Sequence, residues 1–265
     1  MKKIALITNT ENDPGYAVTA RFEKCLGAFD CEHFRLPLGG EIPQGTDLAI
    51  VFGGDGSIMR VSHAASTAGV PVLGVNLGKV GYLAELEPDE EALLSAYFDG
   101  DYTVEERMML DVTDMDGNTH TALNDVVVSI GGLSHMITLT LECDGEAVSE
   151  YYGNGLVVAT PTGSTAYSLS AGGPIISPKI SCMAVTPICS HSLSARPMIF
   201  DDDSTLTVRN ISRNNIEALL NVDGNDILSV PSGGSVTVKK STQVTPLIRI
   251  KREGFYTVLG RKMKK

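Results

Sequence analysis

A chain of 265 residues, 43% hydrophobic and 20% charged, can bury one sizeable core or two modest ones, which excludes disorder. Its 21 basic against 32 acidic side chains leave a net charge of −11, so no general basic field holds nucleic acid or an anionic membrane, and any phosphate must be bound locally. The five cysteines (Cys25, Cys31, Cys143, Cys182, Cys189) contain no C-x-x-C pair and do not read as a disulfide framework, which fits a reducing cytoplasm.

In chain order, the apolar run after Met1-Lys2-Lys3 spans only Ile4 to Ile7, too short for a signal segment and suited to a strand. No later stretch approaches the length of a membrane span. Apolar runs at Ile4–Ile7, Leu48–Phe52 and Val70–Val75 alternate with helical patterns over Ala17–Phe29, Ser57–Ala68 and Asp89–Phe98, the βαβ signature of a parallel sheet. Past residue 100 the pattern changes to short β-branched segments at Thr121–Ile130, Met136–Glu142, Gly155–Ala159, Thr205–Val208, Ala218–Val222, Ser235–Val238 and Leu247–Ile250. The expected fold is an α/β domain with a parallel sheet over residues 1–100 and a β-rich, sandwich-like domain over residues 101–250.

Between the second strand and its helix stands GGDGSIMR, Gly53 to Arg60. A glycine turn at a helix start aims N–H groups and the positive end of the helix dipole at a phosphate, which an anionic Asp55 would repel. Neither a G-x-x-x-x-G-K-[ST] nor an early G-x-G-x-x-G is present, so ordinary NTPase and dinucleotide fingerprints do not apply. The carboxylate makes sense if it faces a Mg²⁺ ion, or a hydroxyl whose proton must leave as that oxygen attacks phosphorus. A plain tight turn with Asp at a helix start is the competing reading of these residues alone.

Two further segments weigh in. Thr160, Thr162, Ser164 and Thr165 surround Pro161 and Gly163 in ATPTGSTAYSLSAGGP, which offers several hydroxyls and helix-start amides with little bulk for a polar ligand. In LNDVVV, Asn124 and Asp125 precede an apolar strand, either as a hairpin corner or as a ribose-binding pair.

Taken together and in this order, GGDG at Gly53–Gly56, the Asn-acid pair at Asn124–Asp125 and TPTGSTAYSLSAGGPI at Thr160–Ile175 resemble the NAD kinases, and GVNLGKVGYLAE and PICSHSLSARP are similar to further segments of that family. The resemblance implies transfer of the γ-phosphoryl of ATP, or of polyphosphate, to the 2′-hydroxyl of the adenosine ribose of NAD, with Mg²⁺ or another divalent cation. It implies a tail, residues 251–265, that returns to the first domain, and a homodimer or homotetramer; the acidic charge and the cysteine usage add the expectation of a cytoplasmic enzyme without nucleic acid or membrane partners. Asp55 is then the base. Asp55, Gly56, Tyr82, Asn124, Asp125, Asn154, Thr165, Ala166, Tyr167 and Ser170 are implied on the NAD side, and Gly53, Gly54 and Gly56 on the phosphate side. Lys79, between two glycines, and Arg60, on a helix face that solvent could equally claim, are the nearest candidates for the positive charge that a loose phosphoryl transition state needs. Two departures stand out: Asp125 where many members carry Glu, and Asn154 where the family commonly carries Asp ahead of its strand. Two alternatives remain. A GGDG kinase for another alcohol, a lipid or sugar phosphate, calls for an apolar groove or basic cluster that the acidic sequence does not advertise. A non-catalytic dinucleotide-binding regulator would have no need of an intact Asp55.

Overall fold

The computed structural model describes residues 1–78, 81–131 and 135–264. The chain forms two compact units, one of Met1–Arg107 with Gln243–Lys265, the other of Met108–Thr242.

The first unit contains β1 (Lys2–Thr8), α1 (Ala17–Leu26), β2 (Cys31–Pro37), β3 (Leu48–Gly53), α2 (Asp55–Ala68), β4 (Val72–Asn76) and α3 (Leu94–Asp99), and ends as β5 (Thr103–Thr113) leaves it. The strands lie in the order β2-β1-β3-β4, all parallel, with Lys2 beside Cys31, Ile4 beside Leu48 and Ala49 beside Val72. β3 and β4 are buried along their whole length, which is why they read as continuous apolar runs rather than alternating ones. Phe22 of α1 packs edge-on against Phe52 of β3, ring centroids 5.1 Å apart, in a core that also takes Ile4, Leu73 and Leu86. Strand order reverses direction between β1 and β3, and in open parallel sheets the crevice at the carboxyl ends of such strands is where ligands sit. Gly53 and Gly54 occupy that end of β3.

The second unit runs through β6 (Thr119–Ala122), β7 (Asp125–Ile130), β8 (Ile137–Cys143), β9 (Glu146–Gly153), β10 (Gly155–Ala159), α4 (Tyr167–Ser170), β11 (Cys182–Ile188), β12 (Met198–Asp201), β13 (Leu206–Asn210), β14 (Ala218–Val222) and β15 (Asn225–Val230) to β16 (Ser235–Arg249). One antiparallel sheet has the order β12-β11-β10-β7-β14-β15; in the other, β9, β8, β13 and the first half of β16 are neighbours. Val126, Val128, Leu156, Val158 and Leu220 of the first meet Leu139, Leu141, Val208, Val236 and Val238 of the second in a sandwich core. The outer face of the six-stranded sheet is covered as well: Val127, Val157, Ala159 and Ile188 pack with Ala171, and Cys182 and Ala184 with Ile176. The small-residue segment after β10 is therefore a lid on a sheet, and β10 and β11 are buried on both sides.

β16 returns the chain to the first unit, where Leu247 lies parallel to Val72 of β4, and α5 (Phe255–Lys262) closes the sequence. Several elements differ from the sequence reading. The Thr121–Ile130 run divides into β6 and β7 at Leu123–Asn124, and the Ser235–Val238 and Leu247–Ile250 runs fall at the two ends of one 15-residue strand, which stops at Arg249. β2, β9 and β15 escaped the apolar pattern because each is largely exposed or half-buried. No helix among the described residues is long and apolar enough to cross a membrane.

Candidate active site

The glycine turn is tight for a reason of packing. A Cβ on Gly53 would lie 2.3 Å from Ser57 Oγ, so the strand can pass into α2 only without a side chain there. Gly54 is the N-cap and α2 begins at Asp55 itself, two residues earlier than the Ser57 start expected from sequence. A first-turn carboxylate suits the helix dipole. Its hydrogen bonds, however, run away from the helix: Tyr82 N–H donates to Oδ2 at 2.7 Å and Leu83 N–H to Oδ1 at 3.0 Å. Gly81 permits this approach, since a Cβ there would sit 2.2 Å from Asp55 Oδ1.

The loop that grips Asp55 is itself clamped. Arg249 Nη1 donates to the Leu83 carbonyl at 3.1 Å and pairs with Glu85 at 3.2 Å, while its Nε meets Glu105 at 2.7 Å. Arg107 pairs with the other oxygen of Glu105 at 3.1 Å, and burial pulls its pKa down to about 10. Glu85 also accepts the backbone N–H of Ile250 at 2.8 Å. From α5, Lys262 Nζ lies 3.5 Å from Asp55 Oδ2 and 3.5 Å from the centroid of the Tyr82 ring, and Phe255 stands 6.2 Å from that ring. A cavity of about 280 Å³ opens here, lined by Asn76, Tyr82, Glu85, Arg107, Arg249 and Arg261 among others.

Arg60 is exposed and lines a different cavity, about 440 Å³, with Thr8, Asn9, Glu11, Tyr16 and Arg35 at the carboxyl end of β1. Lys79 lies outside the described residues.

In the second unit the predicted residues converge through backbone. Thr160 Oγ1 donates to the Leu123 carbonyl at 2.6 Å, Thr160 N–H to the Asn124 carbonyl at 2.9 Å, and a Cβ on Gly163 would fall 2.0 Å from that same Asn124 oxygen. Ser164 Oγ binds the Pro161 carbonyl at 2.6 Å and the Ile176 N–H at 3.0 Å, and Ser168 meets Thr186 at 2.9 Å. The buried hydroxyls of this segment therefore tie the segment down, and Thr165, Ala166, Tyr167 and Ser170 are the predicted positions left at or near its surface. Asp125 is 5% exposed, accepts the Tyr167 N–H, and is pushed up to about 7 by burial and by the neighbouring Asp223.

Asp223 was not anticipated. Its carboxylate takes the N–H groups of Leu123, Asn124 and Asp125 at 2.7, 2.8 and 3.1 Å, from a left-handed backbone conformation (φ 49°) in the β14–β15 turn. The Asp-Gly pair in NVDGND announces that turn, although nothing in it says which N–H groups its side chain will hold. Asn154 stands apart, at the opening of β10, where its N–H binds the Ile188 carbonyl and its carbonyl the Ile130 N–H, both at 2.9 Å. Asp125 pairs with Ala159 at the other end of that strand. The separation is roughly 17 Å at a rise of about 3.4 Å per residue.

A family model described as the ATP-NAD kinase N-terminal domain matches residues 31–102, and one described as the ATP-NAD kinase C-terminal domain matches residues 123–250. The chain belongs to the NAD kinase family. NAD kinases of Natranaerobius thermophilus and Lachnoclostridium phytofermentans are 36% and 34% identical to it, each alignment covering 99% of this chain and 98% and 99% of the relative. The crystal structure of an NAD kinase from Archaeoglobus fulgidus in complex with ATP superposes with a TM-score of 0.80 at 26% identity, covering 99% of this chain and 98% of that one. Yeast NADH kinase complexed with NADH shares the fold at a TM-score of 0.81 and 23% identity, covering 100% and 88%. The two-domain NAD kinase fold and the assignment to a family of phosphotransferases, both expected from sequence, follow from these matches. Among the described residues no group of three or more His, Cys, Asp or Glu side chains is placed to hold a metal. Mg²⁺ that arrives on substrate phosphates needs few protein ligands.

Proposed function

We propose that this chain transfers the γ-phosphoryl group of ATP to the 2′-hydroxyl of the adenosine ribose of NAD, giving NADP. The observation that carries the reading is Asp55: a carboxylate at the carboxyl end of β3, at the reversal of strand order, oriented by two backbone N–H groups and with lone pairs left to accept a hydroxyl. In the reaction Asp55 takes the 2′-OH proton, the ribose oxygen forms a bond to the γ-phosphorus, and the bond from that phosphorus to the bridging oxygen breaks with its electron pair leaving on ADP. The amides of Gly53, Gly54 and Gly56 address the donor phosphates, with Mg²⁺ entering as MgATP. Arg60, in the cavity at the end of β1, and Lys79 are assigned to donor charge. Asn124, Asp125, Thr165, Ala166, Tyr167 and Ser170 hold the adenosine side of NAD, and Tyr82 is an aromatic wall.

In the same reading, residues 1–100 with the tail 251–265 carry the transfer site and residues 101–250 the NAD side. The chain works in the cytoplasm, where its five cysteines, all free thiols, stay reduced. It assembles as a homodimer or homotetramer in which the segment around Asn154 reaches a neighbouring copy's site; the strand length separating Asn154 from Asp125 supports this, as does the exposed Tyr152 ring two residues away. Incubating purified protein with NAD, Mg²⁺ and either ATP or polyphosphate, and assaying NADP, tests the chemistry. No NADP with either donor overturns it. Sedimentation of a fully active monomer would remove the assembly.

A further inference from the structure

We infer that Lys262, delivered by the C-terminal helix, is a catalytic residue of the phosphoryl transfer and contacts a phosphate oxygen of ATP beside Asp55. The inference rests on the reading of Asp55 as base and adds, to Arg60 and Lys79, a cation that stands directly beside that carboxylate. Spreading negative charge over equatorial phosphoryl oxygens requires positive groups that are already in place.

The candidates on this face of the first unit are quickly narrowed. Arg249 is committed to Glu85 and Glu105, Arg107 to Glu105, Lys251 to Glu90, and Arg261 to Glu253. Each of those carboxylates is structural, and none is proposed to change charge during turnover. Lys262 differs: its carboxylate partner is Asp55, at 3.5 Å, and its ammonium stands over the Tyr82 ring. Its side chain is 24% exposed, so the charge is largely withdrawn from water without being sealed off. Burial lowers the Lys262 pKa and Asp55 opposes that shift, as expected of an ammonium held in place by one anion.

The coupling then follows from charge conservation. As Asp55 accepts the 2′-OH proton it becomes neutral, and Lys262 loses the anion it was balancing at the moment when negative charge collects on the transferring group a few ångströms away. A Lys ammonium on a flexible stem with three donors can turn from one oxygen to the other. The arrangement also gives α5 a function: its position against Tyr82 through Phe255 fixes where the ammonium stands.

The test uses full-length Lys262→Met, which keeps a stem against Tyr82 and drops the charge, and Lys262→Arg, which keeps the charge. Expected for Lys262→Met is a loss of roughly 10- to 100-fold in kcat/KM for ATP, the range of one charge-assisted hydrogen bond. ATP binding measured by calorimetry should weaken at least threefold, NAD affinity should hold, and Lys262→Arg should recover most of both losses. Wild-type ATP affinity and turnover in Lys262→Met overturn the inference and leave Asp55 as base untouched. An equal loss in both variants with an equal fall in melting temperature overturns it too, because Lys262 is then a fastener of α5. If the wild type binds ATP but makes no NADP, the acceptor reading fails, and the ATP titrations of the variants still decide the role of Lys262.

Discussion

Asp55 and Asp125 are two aspartates at the start of regular elements, each beside a glycine-bearing segment, and their surroundings are opposite. Asp55 sits among donors: two backbone N–H groups and an ammonium face it. Asp125 sits beside another carboxylate, is almost wholly buried, and receives the Tyr167 N–H against the repulsion of Asp223. The first environment aims a carboxylate with two fixed N–H groups, as a base requires. The second raises the carboxyl to about 7, so that near neutral pH it exchanges between an acceptor and a protonated form that can also donate to a bound ligand. The same contrast holds for the glycines: a Cβ on Gly54 would meet nothing within 4 Å, whereas a Cβ on Gly163 would strike the Asn124 carbonyl. One turn leaves room for a ligand, and the other has already given its room to the chain.

The largest expected effect lies at Asp55. Asp55→Asn keeps an acceptor for one loop N–H but no base, so kcat for NADP formation should fall by roughly 10²–10⁴ while NAD binding survives. Turnover close to wild type would reduce Asp55 to a turn residue. At the glycines, Gly163→Ala should destabilise the protein by about 3 kcal/mol, the upper range for forcing a methyl into filled space, because the contact is with backbone that cannot rotate away. Gly54→Ala should cost less than about 1 kcal/mol in stability, the scale of an N-cap change, and show its effect on ATP affinity instead. Denaturant titration of the pair checks the contrast, and equal destabilisation would dissolve it.

Asp125 supplies a pH test. Its folded pKa, about 7, lies above the ordinary 3.8, so the folded state binds the proton more tightly than the unfolded chain does. Its contribution to stability is therefore present in full below the ordinary value and is lost as pH rises through about 7. Asp125→Asn, which cannot ionise, should stabilise the protein by about 1–3 kcal/mol at pH 8 and by much less at pH 5, where the native carboxyl is mostly protonated. A gain of equal size at both pH values would place the effect in packing rather than in charge. The smallest effect is at Asn154. Restoring a carboxylate with Asn154→Asp should add an attraction for the cationic nicotinamide ring of NAD⁺ that NADH lacks. At about 6 Å and an effective dielectric of roughly 20–40 this is on the order of 1–3 kcal/mol, so the kcat/KM ratio should move toward NAD⁺ around tenfold. No movement would assign Asn154 to the loop between β9 and β10.

What the sequence determined by itself was whatever is local or periodic. The continuous apolar runs of β3, β4 and β10, the change from alternating helices and strands to strands alone near residue 100, and the grouping of Gly53–Gly56, Asn124–Asp125 and Thr160–Ile175 could all be read without coordinates, because burial on both faces and tight turns constrain residue type where they occur. Tertiary structure decided everything that depends on which distant groups meet. The Lys262–Asp55 pair joins residues 207 apart, Arg249 reaches the Leu83 carbonyl across 166, and Asp223 collects the N–H groups of a turn about 100 residues earlier. It also decided that the hydroxyls of Thr160, Ser164 and Ser168 serve the fold, since a hydroxyl reads the same in sequence whether its partner is a carbonyl of the chain or a ligand. Sequence carries the chemistry of each side chain, but charge state and hydrogen-bond partner are properties of an environment, and that environment exists only once the chain has closed on itself.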